Sequence, residues 1–128
     1  MKLENQILSI KQVRELQELG FDVEKYSSIK SNGRKVVAED DFYIGAAPLF
    51  PTMTIGDIIN VLPYSIETYH KKDFETYTTT YFLKINQLIV SYVNPHIGAV
   101  LIAFSEKKLI NTLFRMLNFM IKTGYINK

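Results

Sequence analysis

Tyr77-Thr78-Thr79-Thr80-Tyr81-Phe82-Leu83-Lys84-Ile85-Asn86-Gln87-Leu88-Ile89-Val90-Ser91-Tyr92-Val93 is the stretch that decides the fold. Its first half is rich in threonine and aromatic residues, and its second half is β-branched and apolar, the composition of paired strands. A two-residue turn at Asn86-Gln87 sets Ile85 opposite Leu88, Leu83 opposite Val90 and Tyr81 opposite Tyr92. All six then share one face. The opposite face carries Phe82, Lys84, Ile89, Ser91 and Val93, a mixture that predicts one side on the core and the other partly wet. Asn94-Pro95-His96 turns the chain, and Val100 to Phe104 reads as a further strand. Before the pair, a strand is expected around Ile66 to His70, with Lys71-Lys72-Asp73 as a turn.

Helices flank this antiparallel centre. Ser9 reads as an N-cap, with Gln12 three residues on to complete a capping box. Ile10, Val13, Leu16 and Leu19 recur at helical spacing, and Gly20 supplies the C-terminal stop, so a first helix is predicted over about Ile10 to Leu19. Asn32-Gly33 is the preferred pair for a type I′ hairpin and sets Ile29 opposite Val36. Glu39-Asp40-Asp41 follows as a solvated acidic run. The Pro48 and Pro51 region reads as a loop. Thr54 caps a short middle helix with Asp57 in its first turn, an apolar face of Ile55, Ile58, Ile59 and Leu62, and a stop at Pro63. Ser105 is expected to cap a long last helix, roughly Glu106 to Thr123, which Gly124 ends. The expected architecture is therefore α+β: an antiparallel sheet with hairpins, an N-terminal helix, a short middle helix and a long C-terminal helix packed on the sheet. The 128 residues suit a single domain, 1–128.

The last helix carries an apolar surplus. Leu109, Ile110, Leu113, Phe114, Met116, Leu117, Phe119, Met120 and Ile121 cover well over half its girth, whereas a surface helix needs an arc of only a little over 100°. Burying one Leu or Phe is worth ~1.5–3 kcal/mol, so exposing several is costly. The expectation is self-association, as a two-fold dimer, through Leu109, Leu113, Phe114, Met116, Leu117 and Met120.

Several chemistries are excluded outright. There is no Cys, which removes disulfides, thiolate catalysis and Cys-based zinc sites, and there are only two His. His70 and His96 stand singly beside a strand end or turn, Ser9 and Ser105 are explained as caps, and no Gly-rich phosphate loop, GxSxG or HExxH pattern occurs. No catalytic residue, cofactor or metal site is expected, and the protein reads as non-enzymatic. Glu4, Asn5 and Gln6 interrupt any secretory apolar run, and no apolar stretch approaches the ~20 residues of a membrane helix, so no membrane role is expected and the chain reads as cytoplasmic.

Charge is unevenly distributed. Residues 1–60 hold seven Lys/Arg and nine Asp/Glu, giving −2, whereas residues 76–128 hold six and one, giving +5. Lys108, Arg115 and Lys122 line one stripe of the last helix with Asn111 and Asn118 between them. That stripe supports an alternative reading, nucleic-acid contact along a row of phosphates.

Leu3-Glu4-Asn5-Gln6 with Ser9, Leu16-Gln17-Glu18-Leu19-Gly20, Pro51-Thr52 ahead of a helix closing on Leu62-Pro63, Leu88-Ile89-Val90-Ser91-Tyr92 and Lys122-Thr123-Gly124-Tyr125-Ile126 together resemble small uncharacterised proteins encoded by phages and prophages of Bacteroides and related bacteria. The resemblance implies a phage origin and a host-cytoplasmic setting; the over-apolar last helix and the lack of a catalytic set add the expectation of an accessory protein acting through contacts with itself and with a protein partner. It brings no catalytic residues.

Overall fold

A computed structural model describes residues 5–29, 43–44, 47–48 and 50–126. The chain begins with α1 (Ile10–Glu18), then the single turn α2 (Val23–Tyr26). At the start of α1 both halves of the capping box form: Ser9 Oγ accepts from the Gln12 backbone N–H at 3.2 Å, and Gln12 Oε1 accepts from the Ser9 N–H at 2.9 Å. Gly20, at φ 85°, lets the chain reverse so that the Phe21 N–H reaches the Leu16 carbonyl at 3.0 Å. The predicted Asn32-Gly33 hairpin and the acidic run at Glu39 lie outside the described residues.

The proline-containing stretch read as a loop holds a small ladder, β1 (Tyr43–Ile44) against β2 (Ala47–Pro48). Residues 50–54 then run between Ile29 and the N-terminal segment. Thr52 is fully buried there, and its hydroxyl donates to the Leu8 carbonyl at 2.8 Å. Helix α3 (Ile55–Val61) starts from a second capping box, Thr54 with Asp57, and ends before Pro63.

Four strands follow as a meander: β3 (Ser65–Lys72), β4 (Glu75–Asn86), β5 (Ile89–Asn94) and β6 (Ala99–Ser105), neighbours in that order and all antiparallel. The β4–β5 register differs from the expected one. Ile85 faces Val90 and Leu83 faces Tyr92, so the loop residues are Gln87 and Leu88, with Gln87 at φ 54°. The shift is two residues in the partner, which preserves every face, because side chains alternate with period two. A bulge at Leu101 separates the pairs Tyr92–Ile102 and Val93–Val100.

Helix α4 (Leu109–Thr123) closes the chain. It begins later than expected and Ser105 is not its cap: Ser105 ends β6, and Glu106, Lys107 and Lys108 carry the chain from the sheet edge to the helix layer. In place of a capping side chain, Thr112 Oγ1 accepts from the Glu106 backbone N–H at 2.9 Å. Gly124, at φ 84°, ends the helix as expected.

All the larger helices lie on one side of the sheet. Ile66, Tyr81, Val90 and Tyr92 from the sheet join Val13 and Leu16 of α1, Ile58 of α3 and the apolar residues of α4 in one buried cluster. The Tyr92 hydroxyl reaches the Pro63 carbonyl at 2.7 Å, and burial pushes its pKa above the ordinary tyrosine value.

The β3–β4 hairpin outruns the rest of the sheet. The last β4–β5 row is Phe82–Val93, whereas β3 and β4 continue from Glu67–Thr80 to Lys72–Glu75. These six rows project about 20 Å at ~3.3 Å per residue. Threonines 76, 78, 79 and 80 stiffen the arm by their branched side chains, His70 stacks on Tyr77 at 5.1 Å, and Asn94 Nδ2 donates to the Thr80 carbonyl at its base.

Candidate protein-contact surfaces

Helix α4 is where the sequence places the self-association face, and its burial corrects part of that expectation. Leu113, Met116, Leu117 and Met120 are fully buried within the protomer. The reason is the position of the helix: α4 contacts α3, β5 and β6, and its Asn111 accepts from Gln12 Nε2 of α1 at 2.9 Å. Neighbours on several sides cover an arc that a surface helix would leave bare. Of the six residues, only Leu109 and Phe114 stay half-buried, with Phe119 beside them.

Lys108, Arg115 and Lys122 are all exposed, as a nucleic-acid stripe requires. The central cation is nevertheless engaged: Arg115 pairs with Glu106 at 3.1 Å and lies over the Phe104 ring at 4.5 Å. With Asn111 tied to α1, the stripe offers two separated lysines rather than a continuous row of free cations. Phosphate tracking depends on the number of charges neutralised, so this geometry favours it weakly.

The remaining sequence candidates take structural roles. His70 Nε2 lies 2.9 Å from Thr68 Oγ1 on the arm, and the His96 backbone N–H donates to Asn94 Oδ1 in the β5–β6 turn. Among the described residues no group of three or more His, Asp or Glu is placed to hold a metal ion. None of their helices is long and apolar enough to cross a membrane. A polar groove of about 500 Å³ lies between Tyr26, Asp57, Asn60 and Tyr125. Burial alone would raise the Asp57 pKa, but hydrogen bonds from Ser28 and Thr54 outweigh it and hold the carboxyl below the usual range. Asp57 Oδ2 accepts from the Ser28 N–H at 2.9 Å, the Ser28 hydroxyl at 2.8 Å and the Thr54 N–H at 3.0 Å. A carboxylate so held is a weak base and a good clamp between the two segments.

Apolar surface is concentrated instead on the sheet face away from the helices. Phe82, Val93 and Val100 form a cross-strand row there, and Tyr64 meets Phe82 edge-on with ring centroids 5.9 Å apart. Val100 is 58% exposed, Ile97 67% and Tyr64 77%. Two charged residues flank this row on the same face, Lys84 two residues along β4 on one side and Glu67 two residues along β3 from Ser65 on the other. No protein-family model, curated protein or solved structure matches this chain.

The tip of the arm is the second such surface, and the sequence reading missed it. Taking Lys71-Lys72-Asp73 as the turn hid the true one, Asp73-Phe74, with φ of 51° and 69°. Left-handed backbone costs a residue with a Cβ ~1–2 kcal/mol, and Phe74 recovers nothing by packing, since it is fully exposed. The usable signal was the pairing of His70 with Tyr77, which leaves Asp73 and Phe74 in the two central turn positions.

Proposed function

We propose that this protein is non-enzymatic and works through protein contacts, the first being with a second copy of itself across the outer face of the sheet. The observation that carries this reading is the apolar row Phe82–Val93–Val100, half-buried at Phe82 and Val93, exposed at Val100 and edged by the exposed Tyr64, with charge only at its flanks, Lys84 and Glu67. An apolar patch on one face of a sheet is self-complementary under a two-fold rotation, and two sheets packed face to face bury their facing side chains in a layer about 10 Å thick. Lys84 sits two residues along β4 from the row, where it stays at the rim. The self-association expected of α4 thus moves to the opposite side of the molecule. The resemblance of several segments to phage and prophage proteins supports an accessory role in the cytoplasm of an infected bacterium.

Light scattering after size-exclusion chromatography tests the reading. The full chain is expected to elute as a dimer or a larger species at micromolar concentration. Val100→Lys, at an exposed position, is expected to break the outer-face contact without unfolding the chain, because it places a charge in the apolar row. A wild-type chain that stays monomeric throughout the micromolar range overturns the proposal.

A further inference from the structure

The Asp73-Phe74 turn retains a bulky residue where a hairpin of this type prefers Asp-Gly or Asn-Gly. Phe74 is held in left-handed backbone at φ 69° and its ring is fully exposed, so the residue strains the fold without contributing to the core. Strain of this kind points to a role outside the protomer's own stability. Asp73 and Glu75 place a carboxylate on each side of the ring, and neither makes an ion pair among the described residues.

A groove elsewhere on the molecule has the complementary chemistry. It measures about 330 Å³ and is lined by Phe104, Phe114 and Phe119, with Arg115, Asn118 and Lys122 beside them. Phe104 and Phe119 meet edge to face with centroids 5.9 Å apart; beside them Lys122 makes no ion pair among the described residues, and the exposed Arg115, though paired with Glu106 and lying over Phe104, keeps guanidinium donors to spare for a second carboxylate. That volume is at the bottom of the range for ligand pockets and suits one aromatic side chain rather than an extended molecule.

We propose that the Asp73-Phe74-Glu75 tip of one copy docks in the Phe104–Phe114–Phe119 groove of another, with the ring between the aromatic walls and the carboxylates facing Arg115 and Lys122. This rests on the reading that the protein associates with itself, and it adds a second contact to that association. The tip cannot fill the groove of its own chain. Phe104 lies in the row of Val90 and Ile85, eleven residues along β4 from Phe74, or about 36 Å at ~3.3 Å per residue. The contact pairs two unlike patches, so it runs head to tail or, exchanged reciprocally, about a two-fold axis; added to the outer-face contact, either arrangement joins dimers into larger species. The outer-face contact, by contrast, is isologous and closes at two.

Sedimentation velocity on the full chain separates the contacts. Wild type is expected to form species above the dimer that grow with concentration and shrink with added salt, since the charges at the contact are exposed. Phe74→Gly suits the left-handed turn and should fold at least as well, yet it is expected to weaken the contact about tenfold or more and stop assembly at the dimer. Arg115→Glu with Lys122→Glu should do the same from the groove side. In a Val100→Lys background, the tip and groove variants are each expected to be monomers, whereas their equimolar mixture forms a heterodimer and nothing larger. If wild type and Phe74→Gly sediment identically as dimers, and Val100→Lys is monomeric, the tip contact is wrong and the outer-face reading stands. If the tip and groove variants do not combine when mixed, the docking proposal is likewise overturned. A monomeric wild type overturns both.

Discussion

Replacing Leu113 by alanine distinguishes a core helix from an interface helix. Leu113 is fully buried in its own protomer, within the cluster that includes Leu16, Ile58, Val90 and Tyr92. Truncating such a side chain removes its transfer free energy and leaves a cavity, a loss of about 2–5 kcal/mol. Against a total of ~5–15 kcal/mol for a domain, that is a large fraction of the stability. Equilibrium urea unfolding provides the assay, followed by circular dichroism or by the fluorescence of the eight tyrosines, there being no tryptophan. The loss is expected to be the same at low and high protein concentration, because the side chain supports the protomer and not its association. Phe114→Ala, half-buried at the groove, is expected to destabilise clearly less. A Leu113→Ala variant with unchanged unfolding but a weakened dimer would refute the argument and return this face of α4 to an interface.

Two further outcomes follow from local geometry. Asp57→Ala removes a capping box and the link to Ser28, at a cost of about 1 kcal/mol. Because folding holds the Asp57 carboxyl below its ordinary value of 3.8, its stabilisation is fully present above about pH 4 and fades as pH falls through the lower folded value; the difference between wild type and variant in urea should shrink accordingly. An undiminished difference at pH 2–3 would contradict this assignment of the hydrogen bonds. Phe74→Gly relieves the left-handed strain of a Cβ-bearing residue and is expected to raise protomer stability by about 1 kcal/mol, even as it removes the tip contact; a lowered unfolding midpoint would show that the ring packs in the protomer after all.

Much of the fold was legible because its signals are local. The capping boxes at Ser9–Gln12 and Thr54–Asp57 involve residues three apart, so spacing alone determines both helix starts. Gly20 and Gly124 end their helices by left-handed backbone, which needs no distant partner. The alternation in β4 and β5 determined which side chains share a face, and it survived a register change because the change was an even number of residues. The start of α4 was less legible. Ser105 has the chemistry of a cap, but it serves as the last residue of β6, and the Glu106 N–H finds a distant hydroxyl at Thr112 instead.

The contact surfaces belong to the tertiary structure. An apolar count on α4 shows how much of the helix must be covered and is silent on what covers it. In the fold, the sheet, α3 and α1 supply that cover, which removes Leu113, Met116, Leu117 and Met120 from any outer surface. The partly exposed row Phe82–Val93–Val100 is assembled from three strands, so no single segment announces it. Phe74 reads in one dimension as another apolar residue and becomes an isolated, strained ring only where β3 and β4 outrun their neighbours. Capping, turns and strand alternation follow from backbone chemistry within a few residues, whereas exposure is set by which distant segments arrive alongside.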